Sequence, residues 1–155
     1  MNSAELERML MHKDVRHSTL IGIDPDVDKN GVCVFERKKR EMKLYNLTFF
    51  ELFDLLKTFA DTPTKVVVEA GWLNKSNWHL NNADSKRVAA AKGKNTGENH
   101  ETGRKIVEMC EYLKLDHALI RPTRRKLNSE QFKAYTGYSK RTNPEQRDAA
   151  MLVFE

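Results

Sequence analysis

Leu20-Ile21-Gly22-Ile23-Asp24-Pro25 is a short apolar run that ends in a carboxylate and stops at a proline. Residues 18–23 read as a buried strand, and Pro25 cannot continue its hydrogen-bond ladder. An aspartate at the end of a central strand is costly to bury unless something offsets its charge. A divalent cation is the natural offset, and it requires further carboxylates to converge on Asp24. Two other places in the chain supply them. Val66-Val67-Val68 is a continuous β-branched run followed at once by Glu69, and it reads as a second central strand. Glu145 and Asp148 stand near the start of a predicted last helix, with Asn143 as N-cap and Pro144 at its first position.

Around these anchors the remaining elements fall into order. Residues 26–31 are turn formers, 32–36 alternate as a second strand, 37–40 make a basic turn and 42–47 a third strand, which together give a hairpin meander. Apolar positions 49, 52, 53, 56, 59 and 60 form one face of a helix. Residues 71–96 are polar around Trp72 and Trp78 and read as a long loop or loosely helical excursion. A helix is expected over 99–114. An interior glycine costs a helix about 1 kcal/mol, so Gly103 points to a close helix-to-sheet approach. A fifth strand over 117–120 stops at Pro122, a helix around 128–136 ends at Gly137, and the last helix runs on to Glu155. Residues 3–13 form an amphipathic helix ahead of the fold, so 1–17 is taken as an N-terminal helical extension and 18–155 as one domain. The helix between the third and fourth strands is a crossover, which makes part of the sheet parallel.

Composition narrows the class. Hydrophobic residues are 39% and charged residues 32% of 155, the balance of a globular domain rather than a disordered tail. No apolar run approaches the roughly 20 residues of a membrane span, and the acidic, polar N-terminus is no secretory signal. Cys33 and Cys110 fit no metal spacing, nor do the histidines at 12, 17, 79, 100 and 117. Two reduced thiols are expected, as in a cytosolic protein. Net charge is +5, but residues 121–147 alone hold eight Lys/Arg against two acids, a local +6 that leaves −1 for the rest. Such a concentration marks a surface for a polyanion.

The acids define the chemistry. Asp24 and Glu69 both end strands, where α/β sheets bind ligands. Side by side, their repulsion raises one pKa unless a cation lies between them. Asp148 is three residues after Glu145 and on the same helix face. Ala149 and Ala150 beside it let that turn approach the sheet. All-oxygen ligation fits Mg²⁺ or Mn²⁺ rather than zinc. Asp26 and Asp28 add charge nearby, either as outer carboxylates or as turn formers. Taken singly, each acid also has a plain structural role: a turn cap for Asp24, a lysine partner for Glu69, an arginine partner (Arg147 or Arg141) for Asp148.

The element order, with carboxylates ending the first and fourth strands, resembles the RNase H-like plan, an α/β fold with a mixed five-stranded sheet and helices on both faces. Within it, IGIDPD, VVVEAGW, the Gly103 helix and NPEQRDAAMLVF resemble, in order over about residues 18–154, the motif series of RuvC-type Holliday junction resolvases. The resemblance implies Asp24, Glu69 and Asp148 as metal ligands, with Glu145 at a fourth acidic or histidine position. Asp26 departs from it, since the family usually has glycine there. The family places an aromatic shortly after the fourth-strand glutamate, inserted at the junction. Trp72 fits that place, with Trp78 a second candidate, and packing of one or both in the core or a dimer interface is the alternative. Lys126, four residues after Pro122, fits a family lysine near the scissile phosphate, and Lys133 and Lys140 are further candidates. Lys75, Arg121, Arg124, Arg125 and Arg141 complete the expected DNA-binding set.

The expected chemistry is two-metal phosphodiester hydrolysis, with Asp24 bridging two Mg²⁺ ions (Mn²⁺ substituting), Glu69 on one ion and Asp148, with Glu145, on the other. The resemblance implies paired nicks in four-way DNA and therefore a homodimer, with no nucleotide cofactor. Competing readings are an RNase H-like nuclease for RNA–DNA hybrid or flap DNA, and an inactive junction-binding module. An actin-like ATPase would need a second Gly-rich phosphate loop, which the sequence lacks.

Overall fold

The computed structural model describes residues 17–74, 85–123 and 126–155. Five strands, β1 (Thr19–Asp24), β2 (Asn30–Glu36), β3 (Glu41–Leu47), β4 (Thr64–Glu69) and β5 (Asp116–Ile120), form one sheet in the order β3-β2-β1-β4-β5. The meander β1-β2-β3 is antiparallel, whereas β4 and β5 run parallel to β1. Four helices are described: α1 (Phe49–Thr58), α2 (Lys86–Tyr112), α3 (Ser129–Thr136) and α4 (Pro144–Met151). This is the expected mixed α/β sheet, with Asp24 and Glu69 at the ends of adjacent parallel strands. Ile23 pairs with Val68, so the next residue on each strand is an acid. The expected amphipathic helix at 3–13 lies outside the described residues.

Side chains alternate across a strand, and that alternation sorts the core. Ile21, Ile23, Val32, Val34, Val66 and Val68 meet Leu52 and Leu56 of α1 and Ile106, Met109 and Cys110 of α2 on one face. Leu20, Cys33, Phe35 and Val67 meet Phe132 of α3 and Ala149, Ala150 and Val153 on the other. Burying each such aliphatic side chain is worth roughly 1.5–3 kcal/mol. Asp24 is in phase with Leu20, and Glu69 with Val67, so both carboxylates belong to the α4 face. Cys33 and Cys110 are free and fully buried, and burial pushes both thiols up to about 12.

Helix α4 lies against β1 and β2 at backbone distance. A Cβ on Gly22 would fall 2.1 Å from the Ala149 carbonyl oxygen, and one on Gly31 would fall 2.2 Å from that of Glu145. Neither position has room for a side chain. Asn143 caps the helix in a reciprocal box with Gln146, and Pro144 occupies the first turn.

Four expectations are corrected. Of the stretch 71–96, read as a long loop or a loosely helical excursion, the part from Lys86 is regular helix: α2 runs unbroken for 27 residues from the Ser85 N-cap, about 40 Å at 1.5 Å per residue. Its first half projects beyond the sheet and buries no apolar stripe, so hydrophobic periodicity had nothing to register there. Gly103 makes room for the Trp72 ring, which would lie 2.4 Å from a Cβ at that position, rather than for the sheet. The last helix ends at Met151, because the chain turns back to seat Phe154 against Phe35 and Tyr135. Finally, His17 is packed into the fold: it is buried, and its Nε2 lies 2.7 Å from Asp116 Oδ2 of β5.

Candidate metal centre

Asp24, Glu69 and Asp148 each offer a carboxylate oxygen, and these oxygens all lie within 4.8 Å of one another. Three elements bring them together. Parallel pairing aligns β1 with β4, and the two glycines let α4 descend until Asp148 faces the strand ends. The side chains are shielded, with 11% of Glu69 and 19% of Asp148 exposed. Lys126 reaches into the cluster: its Nζ is 3.1 Å from Asp148 Oδ2 and 3.4 Å from Glu69 Oε1.

The electrostatics follow from this crowding. Burial, then the charges of Glu69 and Asp148, push the Asp24 carboxyl up to about 8, with Lys126 opposing and Glu145 adding a smaller push. Burial also raises Glu69, Lys126 draws it back, and Asp148 keeps the net direction upward. For Lys126, burial works against the ammonium, but Glu69 and Asp148 outweigh it and hold the group above its ordinary range. One ammonium does not neutralise three convergent carboxylates. The donor set, hard oxygens on three rigid elements, fits a divalent cation such as Mg²⁺ or Mn²⁺.

The other predicted site residues fall at different distances from this centre. Glu145 is not in the converging group, and it acts on Asp24 through its charge. The Asp26 carboxylate accepts from Asp28 N–H at 2.8 Å, and Asp26 N–H donates to buried Asn30 at 3.0 Å, so Asp26 builds the turn. Trp72 is half-buried against Gly103 and Pro25, with the Arg104 guanidinium 5.7 Å from its ring centre. It is thus not a fully exposed aromatic. Arg121 is exposed beside a small cavity of about 120 Å³ on the α4 side of Lys126. Lys133, Lys140 and Arg141 are exposed and lie away from the cluster's own cleft. Lys75, Trp78, Arg124 and Arg125 lie outside the described residues.

Two further features had no reader in the sequence. Arg147, next to Asp148, does not pair with it. Its guanidinium donates to Leu127 O (3.0 Å), Thr142 O (3.2 Å) and Thr142 Oγ1 (3.1 Å), tying α4 to the segment that carries Lys126. The second feature is a cleft of about 430 Å³ that opens from Asp24 and Glu69. Its far wall is α2, through Lys92, Asn95, Thr96, Asn99 and His100. Their spacing of three and four is the helical signal that could have revealed them, but it is written in polar residues.

No family model and no curated protein matches the chain. Among solved structures, that of T. thermophilus RuvC in complex with Holliday junction substrate is similar at 14% identity, over 88% of this chain and 90% of that one, with a TM-score of 0.49. The functional reading therefore rests on the carboxylates and their cleft, and not on that likeness.

Proposed function

We propose that this protein is a divalent-metal-dependent endonuclease that resolves four-way DNA junctions. The observation that carries the hydrolytic part is the convergence of Asp24, Glu69 and Asp148 at the mouth of an open cleft, with Lys126 among them. Those three carboxylates would hold the metal, two Mg²⁺ ions per site with Mn²⁺ as a substitute, and Glu145 would add charge to the same end. Bound there, the metal supplies Lewis-acid chemistry at the phosphodiester and an acidified water. Lys126 would exchange its carboxylate partners for a phosphate oxygen as the strand enters. Arg147 holds its segment while it does so.

The local +6 of residues 121–147 supports a nucleic-acid substrate, and the ordered motif resemblance favours junction DNA among nucleic acids. Two symmetric cuts need two sites, hence a homodimer. A cytoplasmic setting accords with the reading, and no described helix is long and apolar enough to cross a membrane.

The test is cleavage of four-way junction, RNA–DNA hybrid and flap substrates in Mg²⁺. The unmodified protein is expected to nick the junction in pairs, and Asp24→Asn to lower the rate at least about a thousandfold. Junction cutting by Asp24→Asn at the normal rate would sink the metal-centre reading. Tight junction binding without any cutting in Mg²⁺ or Mn²⁺ would leave a binding module.

A further inference from the structure

The cleft beside the metal centre has two chemically different walls. One is charged: Asp24, Glu69 and Lys126. The other, the inner face of α2, offers hydrogen-bonding groups, Asn95, Thr96, Asn99 and His100, with Lys92 at its outer end. Helical periodicity keeps this face in line, since positions 92, 95, 96, 99, 100 and 103 recur at intervals of three and four. Gly103 then seats Trp72 at its base.

A wall meant only to hold phosphates would be cationic, because backbone binding is a matter of charge. Carboxamide and imidazole groups are instead the side chains that match donor and acceptor patterns on base edges. Asn99 is oriented for such a role: its Oδ1 accepts from Val27 N–H at 2.9 Å, which commits the oxygen and leaves the amide NH₂ as donor. His100 lies over Gly71, where a Cβ would come within 2.8 Å of its Nε2. The ring is therefore held at the cleft floor. A volume of about 430 Å³ lies within the roughly 300–1,000 Å³ of small-ligand sites. It is room for a single nucleotide.

We propose that this cleft takes one unstacked nucleotide flanking the scissile phosphate, and that Asn95, Asn99 and His100 discriminate its base. The proposal rests on the nuclease reading for the position of the phosphate, but base discrimination is measurable without cleavage. Single-stranded dA, dC and dT 12-mers offer the same base in any register. Their affinities, read by fluorescence anisotropy in Ca²⁺, are expected to differ about tenfold between best and worst. Asn95→Ala and His100→Ala should compress that range to about twofold, with the helical circular dichroism unchanged. Gln replacing His100 should restore part of the range, since it returns a hydrogen-bonding edge. Equal affinities for the three 12-mers in the unmodified protein would overturn the proposal. So would an undiminished range in both alanine variants. Loss of junction cutting in the Asp24→Asn protein with the base preference intact would separate the two readings.

Discussion

Gly22 and Gly31 on the sheet, and Gly93 and Gly97 on α2, are the same residue in opposite circumstances. A methyl group at either sheet position would collide with an α4 carbonyl, whereas at Gly93 and Gly97 a Cβ meets nothing within 4 Å. One region of the cleft is thus built by backbones pressed together, and the other by a helix standing clear of the core. The pressed region carries the carboxylates, whose oxygens must hold position to a fraction of an ångström to share a cation. The open region carries polar side chains along the cleft wall.

The largest effect should come from breaking the pressed side. Gly22→Ala forces α4 off β1, and overpacking at a backbone contact costs about 3 kcal/mol. Urea unfolding should show that loss. Calorimetry should show weakened Mg²⁺ binding as well, because Asp148 moves with the helix. If Gly22→Ala keeps both stability and metal affinity, the close approach of α4 is not what assembles the centre.

Charge sharpens the same contrast, since only the pressed side crowds its acids. Asp24 titrates near 8, so below that pH a proton holds the carboxylate that the cation needs. Mg²⁺ affinity should rise up to about tenfold per pH unit toward 8 and level off above it. Stability of the metal-free protein should move the other way. A carboxyl raised on folding stabilises below its ordinary pKa, and that contribution is lost as pH climbs toward 8. A flat affinity between pH 6 and 8 would contradict the crowding. Lys126→Met removes a cation 3.1 Å from Asp148 that competes for the same oxygens. At pH 9, where the acids are ionised, Mg²⁺ should bind roughly five- to tenfold tighter, even as junction cutting falls. Weaker Mg²⁺ binding there would mean that Lys126 assembles the cluster rather than competing for it.

The two regions also differed in what the sequence disclosed. Asp24 and Glu69 were legible because each ends a β-branched or aliphatic run, and strand alternation then dictates their face. The α4 start was legible because Asn143-Pro144 is a local signal of capping chemistry. Gly22 and Gly31 looked like ordinary strand and turn residues, since their partner is a helix more than a hundred residues away and no local pattern reports it. The first half of α2 was illegible for the opposite reason. It buries no apolar side chain in the core, so its periodicity along the cleft is carried by Lys, Asn, Thr and His. Arg147 was obscured by its neighbour, because an arginine beside an aspartate suggests an ion pair and gives no hint of carbonyl acceptors at Leu127 and Thr142.

The smallest expected change is the one that best isolates the open side. An exposed interior glycine costs a helix roughly 0.5–1 kcal/mol relative to alanine, and nothing stands in the way of a methyl group at Gly97. Gly97→Ala should therefore stabilise α2 locally by about that amount. It would be seen as slower amide hydrogen exchange over residues 86–98, with little shift in the global urea midpoint, because this stretch shares few contacts with the core. Mg²⁺ affinity should stay unchanged, since none of the three converging carboxylates rides on that half of the helix. If Gly97→Ala weakened metal binding, the two walls would be mechanically coupled, and the first half of α2 would belong to the metal centre's scaffold rather than to an independent wall of the cleft.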